Sequence, residues 1–224
     1  TRPDVSIDGR RFVYISTSGS ADQYNNLYVQ PTAGGEPYKM TFFEHDAFHP
    51  RWSPDGEWIA FISNESGLSQ LMLLETYGGK LVPLAISEQH FKRPRGILKV
   101  RVTETVGSAP IHNRVHLRAA DGKFYTPNNA YARAGTRGDL IFHNAGEFEV
   151  TLPVGEVSLD FVKGFEFFPQ NLRVDIEEGE VTQLAVVMER MTDMGAKGWY
   201  SASTHVHSNY GGNLHNTLEN LMMM

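Results

Sequence analysis

Apolar and polar residues alternate with a period of two along most of the chain, in short runs bounded by Gly, Pro, Asn and Asp, which is the pattern of β-strands rather than helices. Two of these runs, Phe12-Val13-Tyr14-Ile15 and Trp58-Ile59-Ala60-Phe61-Ile62, each follow an Asp-Gly pair, at 8–9 and 55–56, so the pattern repeats with a period of 47 residues. A second pair, Asn26-Leu27-Tyr28-Val29 leading to Gly34-Gly35 and Gln70-Leu71-Met72-Leu73-Leu74 leading to Gly78-Gly79, repeats at 44. Each unit reads as an Asp-Gly turn, a strand, a polar loop, a second strand and a Gly-Gly hairpin into a third. A four-stranded unit of this size cannot bury both faces alone and must stack on neighbours, which predicts blades of a β-propeller. Two blades do not close a ring, so residues 1–91 are expected to be part of one.

Lys92-Arg93-Pro94-Arg95-Gly96 is a short basic linker in composition, and a new domain is expected from residue 96 to 190. Its strands include Ile97–Val102, Asn113–Ala119, Gly146–Gly155 leading to Val157–Val162, Leu172–Ile176 and Val181–Met188, with Asp121-Gly122 turning into a strand at Lys123-Phe124-Tyr125. About seven short alternating strands in one region predict two antiparallel sheets packed as a β-sandwich. Residues 197–224 change character: a strand over Gly198–His207, a Gly211-Gly212 loop, and a helix starting near Thr217 with Asn216 or Thr217 as its N-cap, one β-loop-α unit of a (β/α) barrel. The fold class expected is therefore mainly β, with partial propeller blades, an antiparallel sandwich and the first unit of a truncated barrel. The chain opens directly on a strand pattern and closes on a helix with no stop signal, which suggests a segment of something longer.

Composition adds exclusions. The net charge is −6 and the basic residues are scattered, which offers no field for a nucleic acid. No apolar run approaches the roughly 18 residues of a membrane span. The absence of cysteine removes disulfides, thiolate metal sites and a Cys nucleophile.

Nine histidines are the remaining candidates for chemistry. His205 and His207 lie at i and i+2 on the expected strand, so both imidazoles project to one face and can meet one ion, while Val206 points the other way. Imidazole at that spacing suits zinc or manganese. Asn209 and His215, in the loop beyond, are placed to approach a substrate. The plain alternative is that all four are ordinary strand and loop residues. His112, His116 and His143 fall on half-buried strands and read as surface or edge positions. Ser201, Ser203 and Ser208 flank the histidines, but no Gly-x-Ser-x-Gly elbow accompanies them.

The sequence Ser53-Pro54-Asp55-Gly56-Glu57-Trp58-Ile59-Ala60-Phe61-Ile62-Ser63 resembles the repeat of TolB-type β-propellers over residues 3–86. The strand ending Leu152-Pro153-Val154-Gly155 and the later Lys163-Gly164-Phe165-Glu166 resemble the carboxypeptidase-regulatory or transthyretin-like sandwich. Trp199-Tyr200-Ser201 leading to His205-Val206-His207 resembles the opening of PHP-type hydrolase domains, and more closely the CehA/McbA-like metallohydrolases. That resemblance implies that His205 and His207 are the first two ligands of a divalent metal centre whose other ligands lie on later strands. The implied reaction is metal-assisted hydrolysis of a small ester-like or phosphoester substrate. Ser203 stands where the family pattern carries an Asp, so the charge of that group is missing here.

Three readings of function follow. The chain is the N-terminal part of a metal-dependent hydrolase, inactive alone because two His do not complete a zinc site. Or it is a binding or scaffold protein whose propeller takes a protein or glycan ligand and whose metal site is vestigial. Or the histidines are structural and the piece has no activity of its own. The TolB resemblance implies a periplasmic or secreted address, and open sheet edges favour self-association into a homo-oligomer.

Overall fold

The computed structural model describes residues 3–19, 23–134, 139–202 and 215–224. They are mainly β, with sixteen strands, a single 3-10 turn at Gly195–Lys197 and one short helix, α1 (Leu218–Met223). They divide into two compact units. The first is Thr1–Glu88, to which His215–Thr217 also belong; the second begins at Gln89 and includes Leu218–Met224.

In the first unit, β1 (Asp4–Val5), β2 (Arg11–Ser16), β3 (Asn26–Pro31) and β4 (Tyr38–Lys39) form one antiparallel meander, in chain order. β5 (Ala47–Trp52), β6 (Trp58–Ser63), β7 (Gln70–Glu75) and β8 (Leu81–Pro83) form a second. The two share one core, because every second residue points to the same side: Val13 and Ile15, Leu27 and Val29, Ile59 and Phe61 meet there with Leu74. The period seen in the sequence is a repeated hydrogen-bond network at the Asp-Gly turns. Ser6 Oγ donates to Asp8 Oδ1 (2.6 Å) and accepts from Arg11 N (3.0 Å); Ser53 Oγ does the same with Asp55 (2.5 Å) and Trp58 N (2.9 Å). Gly9 and Gly56 hold φ near 70°, the conformation that a side chain would strain. Thr32 and Thr76, after the third strand of each meander, donate their hydroxyls to the carbonyls of Gly9 (2.8 Å) and Gly56 (2.9 Å).

The second unit has two sheets. The larger has the order β11 (Tyr131–Ala134), β12 (Leu140–Asn144), β10 (Asn113–Arg118), β14 (Gly155–Val162), β15 (Gln170–Ile176). The smaller has β9 (Arg95–Thr103) between β13 (Glu147–Pro153) and β16 (Val181–Val187). One core lies against both: Leu98, Val100 and Val102 of β9 with Phe148, Val150 and Leu152 of β13 on one side, and Val115, Phe142, Val157, Leu159 and Phe161 on the other.

Three expectations are corrected here. The pairing is not wholly antiparallel, since β16 runs parallel to β9. After β15 the chain turns through Glu177–Glu180 into the other sheet, bonding β9 on the way: Gly179 N donates to Arg95 O (2.8 Å) and Ile97 N to Glu180 O (2.9 Å). That turn crosses Gly96, where any side chain would strike the Glu177 carbonyl. Second, Lys123-Phe124-Tyr125 is not a strand. Asp121 takes the Lys123 N–H (3.1 Å) and the Tyr125 hydroxyl (2.9 Å), which folds the segment back on its own turn. Third, Gly198–Ala202 carries no strand; the 3-10 turn before it ends on Gly198 in the left-handed region, φ 80°.

Candidate functional site

A buried polar cluster sits where the two meanders of the first unit meet. Asp46, just before β5, is 1% exposed. Its Oδ1 accepts the Asn25 main-chain N–H (3.0 Å) and the Asn25 side-chain amide (2.8 Å). Its Oδ2 accepts the main-chain N–H of His215 (2.8 Å) and the Asn64 amide (3.3 Å). Asn64 Oδ1 in return accepts the Asp46 N–H (2.8 Å). These short polar side chains stand at strand ends because there the ladder no longer satisfies the backbone, and a side-chain acceptor must. Asn26 does the same nearby, its buried Oδ1 accepting from Phe43 N (2.7 Å) and Thr41 Oγ1 (3.0 Å).

Two imidazoles border this cluster. His45 is buried, stacked on Phe43 with centroids 4.4 Å apart, and its ring lies edge-on to His215 at 6.3 Å. Burial holds the His45 pKa below its ordinary value and the neighbouring His215 adds to this, against the opposing pull of Glu65 and Asp46. His215 also meets Tyr24 edge-on at 6.0 Å. Its Nε2 lies 3.1 Å from the Glu65 carbonyl, an acceptor only, which assigns a proton to Nε2. Its Nδ1 is buried with no hydrogen-bond partner among the described residues. Burial thus disfavours the charged form of His45, and both oxygens of the Asp46 carboxylate are engaged by N–H donors, four in all.

Of the residues singled out from sequence, His215 is held by its backbone and ring rather than lying loose in solvent. His205, His207 and Asn209, with Ser203, lie outside the described residues. His45, Asp46, Asn25 and Asn64 escaped the sequence reading; the only signal was a clustering of Asn and Asp at strand ends, which is common to turns of every kind. In the second unit His143 corrects the surface reading. It is 8% exposed on β12, and burial, then the charges of Arg114 and Arg133, lower its pKa to about 4. His116 is half-buried at the edge of a small polar hollow of about 310 Å³ with Arg118, Lys123 and Asp160. His112 is exposed, and its Nδ1 lies 3.1 Å from the Met222 carbonyl of α1.

The donor chemistry at 205 and 207, two imidazoles, fits zinc or manganese in kind. Among the described residues no group of three or more His, Asp or Glu side chains is placed to hold a metal ion.

No family model matches the chain. In sequence it is similar to the uncharacterized peptidase YuxL of Bacillus subtilis, 36% identical over 84 residues, covering 36% of this chain and 13% of that protein. It is also similar to the Tol-Pal system protein TolB of Methylococcus capsulatus, 39% identical over 62 residues, covering 27% of this chain and 15% of that protein. The chain therefore spans a small fraction of the length of the curated relatives it matches. The likeness to TolB supports the propeller-type reading of the N-terminal repeats. Among solved structures, putative TolB from Agrobacterium tumefaciens superposes with a TM-score of 0.35 at 16% identity, covering 82% of this chain and 55% of that one. TolB from Acinetobacter baumannii gives 0.33 at 15%, covering 80% and 43%. TM-scores this low carry no weight for function.

Proposed function

We propose that this chain is the N-terminal portion of a metal-dependent hydrolase acting on a small ester- or phosphoester-type substrate. In this reading the two meanders are blades of a TolB-like propeller and the second unit is a regulatory-type β-sandwich. Together they dock the enzyme or orient its substrate, and residues 197–224 open a PHP-type barrel. The observation that carries the proposal is His205-Val206-His207, two imidazoles spaced for one face of a strand, directly after the β-rich units. A divalent ion at that pair would supply Lewis acidity for hydrolysis. His205 and His207 would hold it, and Asn209 and His215 would lie towards the substrate. By itself the chain is expected to be inactive, because a catalytic zinc site needs three protein ligands and an open position.

A second reading is favoured by Ser203, which removes an acid from the family pattern: a binding or scaffold protein, its propeller taking a protein or glycan ligand. Under either reading the TolB-like repeats support a periplasmic or secreted address, and open blade edges favour self-association.

The test is metal content after exhaustive dialysis, measured on this chain and on the full-length protein that contains it, as wild type and as His205→Ala/His207→Ala. Stoichiometric metal in the full-length wild type, lost in the double variant, is the expected result, and hydrolysis of aryl esters and phosphodiesters should be lost with it. A full-length protein that stays metal-free under zinc or manganese saturation overturns the hydrolase reading and leaves the binding one.

A further inference from the structure

The second unit contains a cleft of about 950 Å³ that none of the chemistry above uses. Its volume falls within the range of small-molecule sites. Its lining combines two features that ordinary protein surface rarely brings together. The first is aromatic: Phe165, Tyr200 and Trp199 are 98%, 85% and 70% exposed, yet all three line this one concavity together with Phe167. Single exposed rings are common, whereas several converging on one hollow form an unsatisfied apolar surface.

The second is electrostatic. Among the described residues three cations, Arg114, Lys163 and Arg190, line the cleft against one carboxylate, Glu166. Arg190 and Glu166 satisfy each other: Arg190 bonds Glu166 (2.8 Å) and Glu104 (2.5 and 3.2 Å) and stacks over Phe167 at 4.4 Å. Glu166 Oε2 additionally accepts the Met194 N–H at 3.1 Å. Arg114 and Lys163 are left over. Arg114 Nε is buried without an acceptor among the described residues. Lys163 Nζ makes one hydrogen bond, to the His112 carbonyl at 3.0 Å, and has no carboxylate partner among the described residues. Burial lowers the Lys163 pKa and the nearby Arg190 adds to this; the opposing pull comes from Glu104, whose carboxylate is already bonded to Arg190.

We infer that the cleft binds a small organic carboxylate, with an aromatic or compact apolar body against the exposed rings and the carboxylate on the Lys163 ammonium, within the field of Arg114. One carboxylate matches the Lys163 ammonium, which makes no direct ion pair among the described residues, and the apolar walls lower the local dielectric, which strengthens that pairing over its value in water. The inference is independent of any metal at His205 and His207.

The experiment is titration calorimetry on the 224-residue chain with naphthoate, naphthylmethanol and naphthylmethylamine, which share a ring system and differ in charge. Naphthoate should bind about ten-fold more tightly than the alcohol, and the amine more weakly than both. Lys163→Gln should reduce naphthoate to the level of the alcohol while leaving the alcohol unchanged, and Lys163→Arg should keep the preference. Tyr200→Ala, at a ring too exposed to matter for folding, should weaken naphthoate and alcohol alike. Equal affinity for the three compounds, a preference that survives Lys163→Gln, or no binding at millimolar concentration would each overturn the inference. Should Lys163→Gln fail to fold, the charge series on the wild type and the Tyr200→Ala variant still decide it.

Discussion

Asp46 is a carboxylate 1% exposed, with no Lys or Arg paired to it among the described residues, and its solvation is supplied by four N–H groups from Asn25, Asn64 and His215. Removing it leaves several buried donors unsatisfied at once. Asp46→Ala is expected to destabilise the first unit by about 3–5 kcal/mol, and Asp46→Asn by less because one acceptor oxygen remains; urea unfolding of the two variants checks the order. His143 provides a pH-dependent counterpart. Its pKa in the folded chain, about 4, lies below the ordinary 6.5, so the unfolded chain binds the proton more readily. The stability this confers is complete above pH 6.5 and is lost as pH falls through the folded pKa near 4, in all about 3 kcal/mol. Melting temperature should fall across that window in the wild type and should fall less in His143→Gln. Neither role was legible in the sequence, because a buried Asp or His is written with the same letters as an exposed one. Only the folding of β10, β11 and β12 brings Arg114 and Arg133 to His143.

At the scale of elements, alternation identified most of the strands, since a sheet with one buried face obliges apolar residues to every second position, but β5, β11 and β12 went unread. It failed where side chains compete with the ladder, as Asp121 does at Lys123 and Tyr125. It was also silent about direction: nothing in the apolar pattern of Val181–Val187 distinguishes a parallel from an antiparallel neighbour. The turn between β12 and β13 illustrates how tightly such junctions are specified. Gly146 sits at φ 101°, and a Cβ there would lie 2.5 Å from Ile111 N and 2.7 Å from Ile111 O, both backbone atoms that cannot swing away. Its N–H donates to Asn144 Oδ1 at 2.8 Å, and Asn144 is locked to Asn113 in a buried amide pair (3.0 Å). Gly146→Ala is therefore expected to cost about 3 kcal/mol or more through strain and collision together. By contrast His49, in the β-bulge of β5 at φ 51°, should tolerate glycine, and His49→Gly is expected to be neutral or stabilising by up to about 1 kcal/mol. Thermal melts of both variants test the pair.

At the scale of the whole molecule, each unit owns a complete core: Phe61, Ile59 and Leu27 in the first, Phe142, Phe161 and Leu98 in the second. Calorimetry should resolve two unfolding transitions, with Gly146→Ala moving only one of them and Asp46→Ala only the other; a single transition shifted by both would show that the cores unfold together. The repeat seen in the sequence carries one more consequence. The Thr-to-Gly latch spans 23 residues in the first meander and 20 in the second, and the hydrogen bond it closes is the same. The three extra residues fall between β2 and β3, where nine residues connect strands that six connect between β6 and β7. Each meander thus has one end closed by the latch and one end whose length differs between the two while the latch bond stays the same. A peptide tag or reporter belongs inside the β2–β3 or β6–β7 loop, clear of Asn25, Asn64 and Glu65, which hold the Asp46 and His215 cluster, and the same insertion placed at Asp8-Gly9 or Asp55-Gly56 would unfasten the meander that carries it.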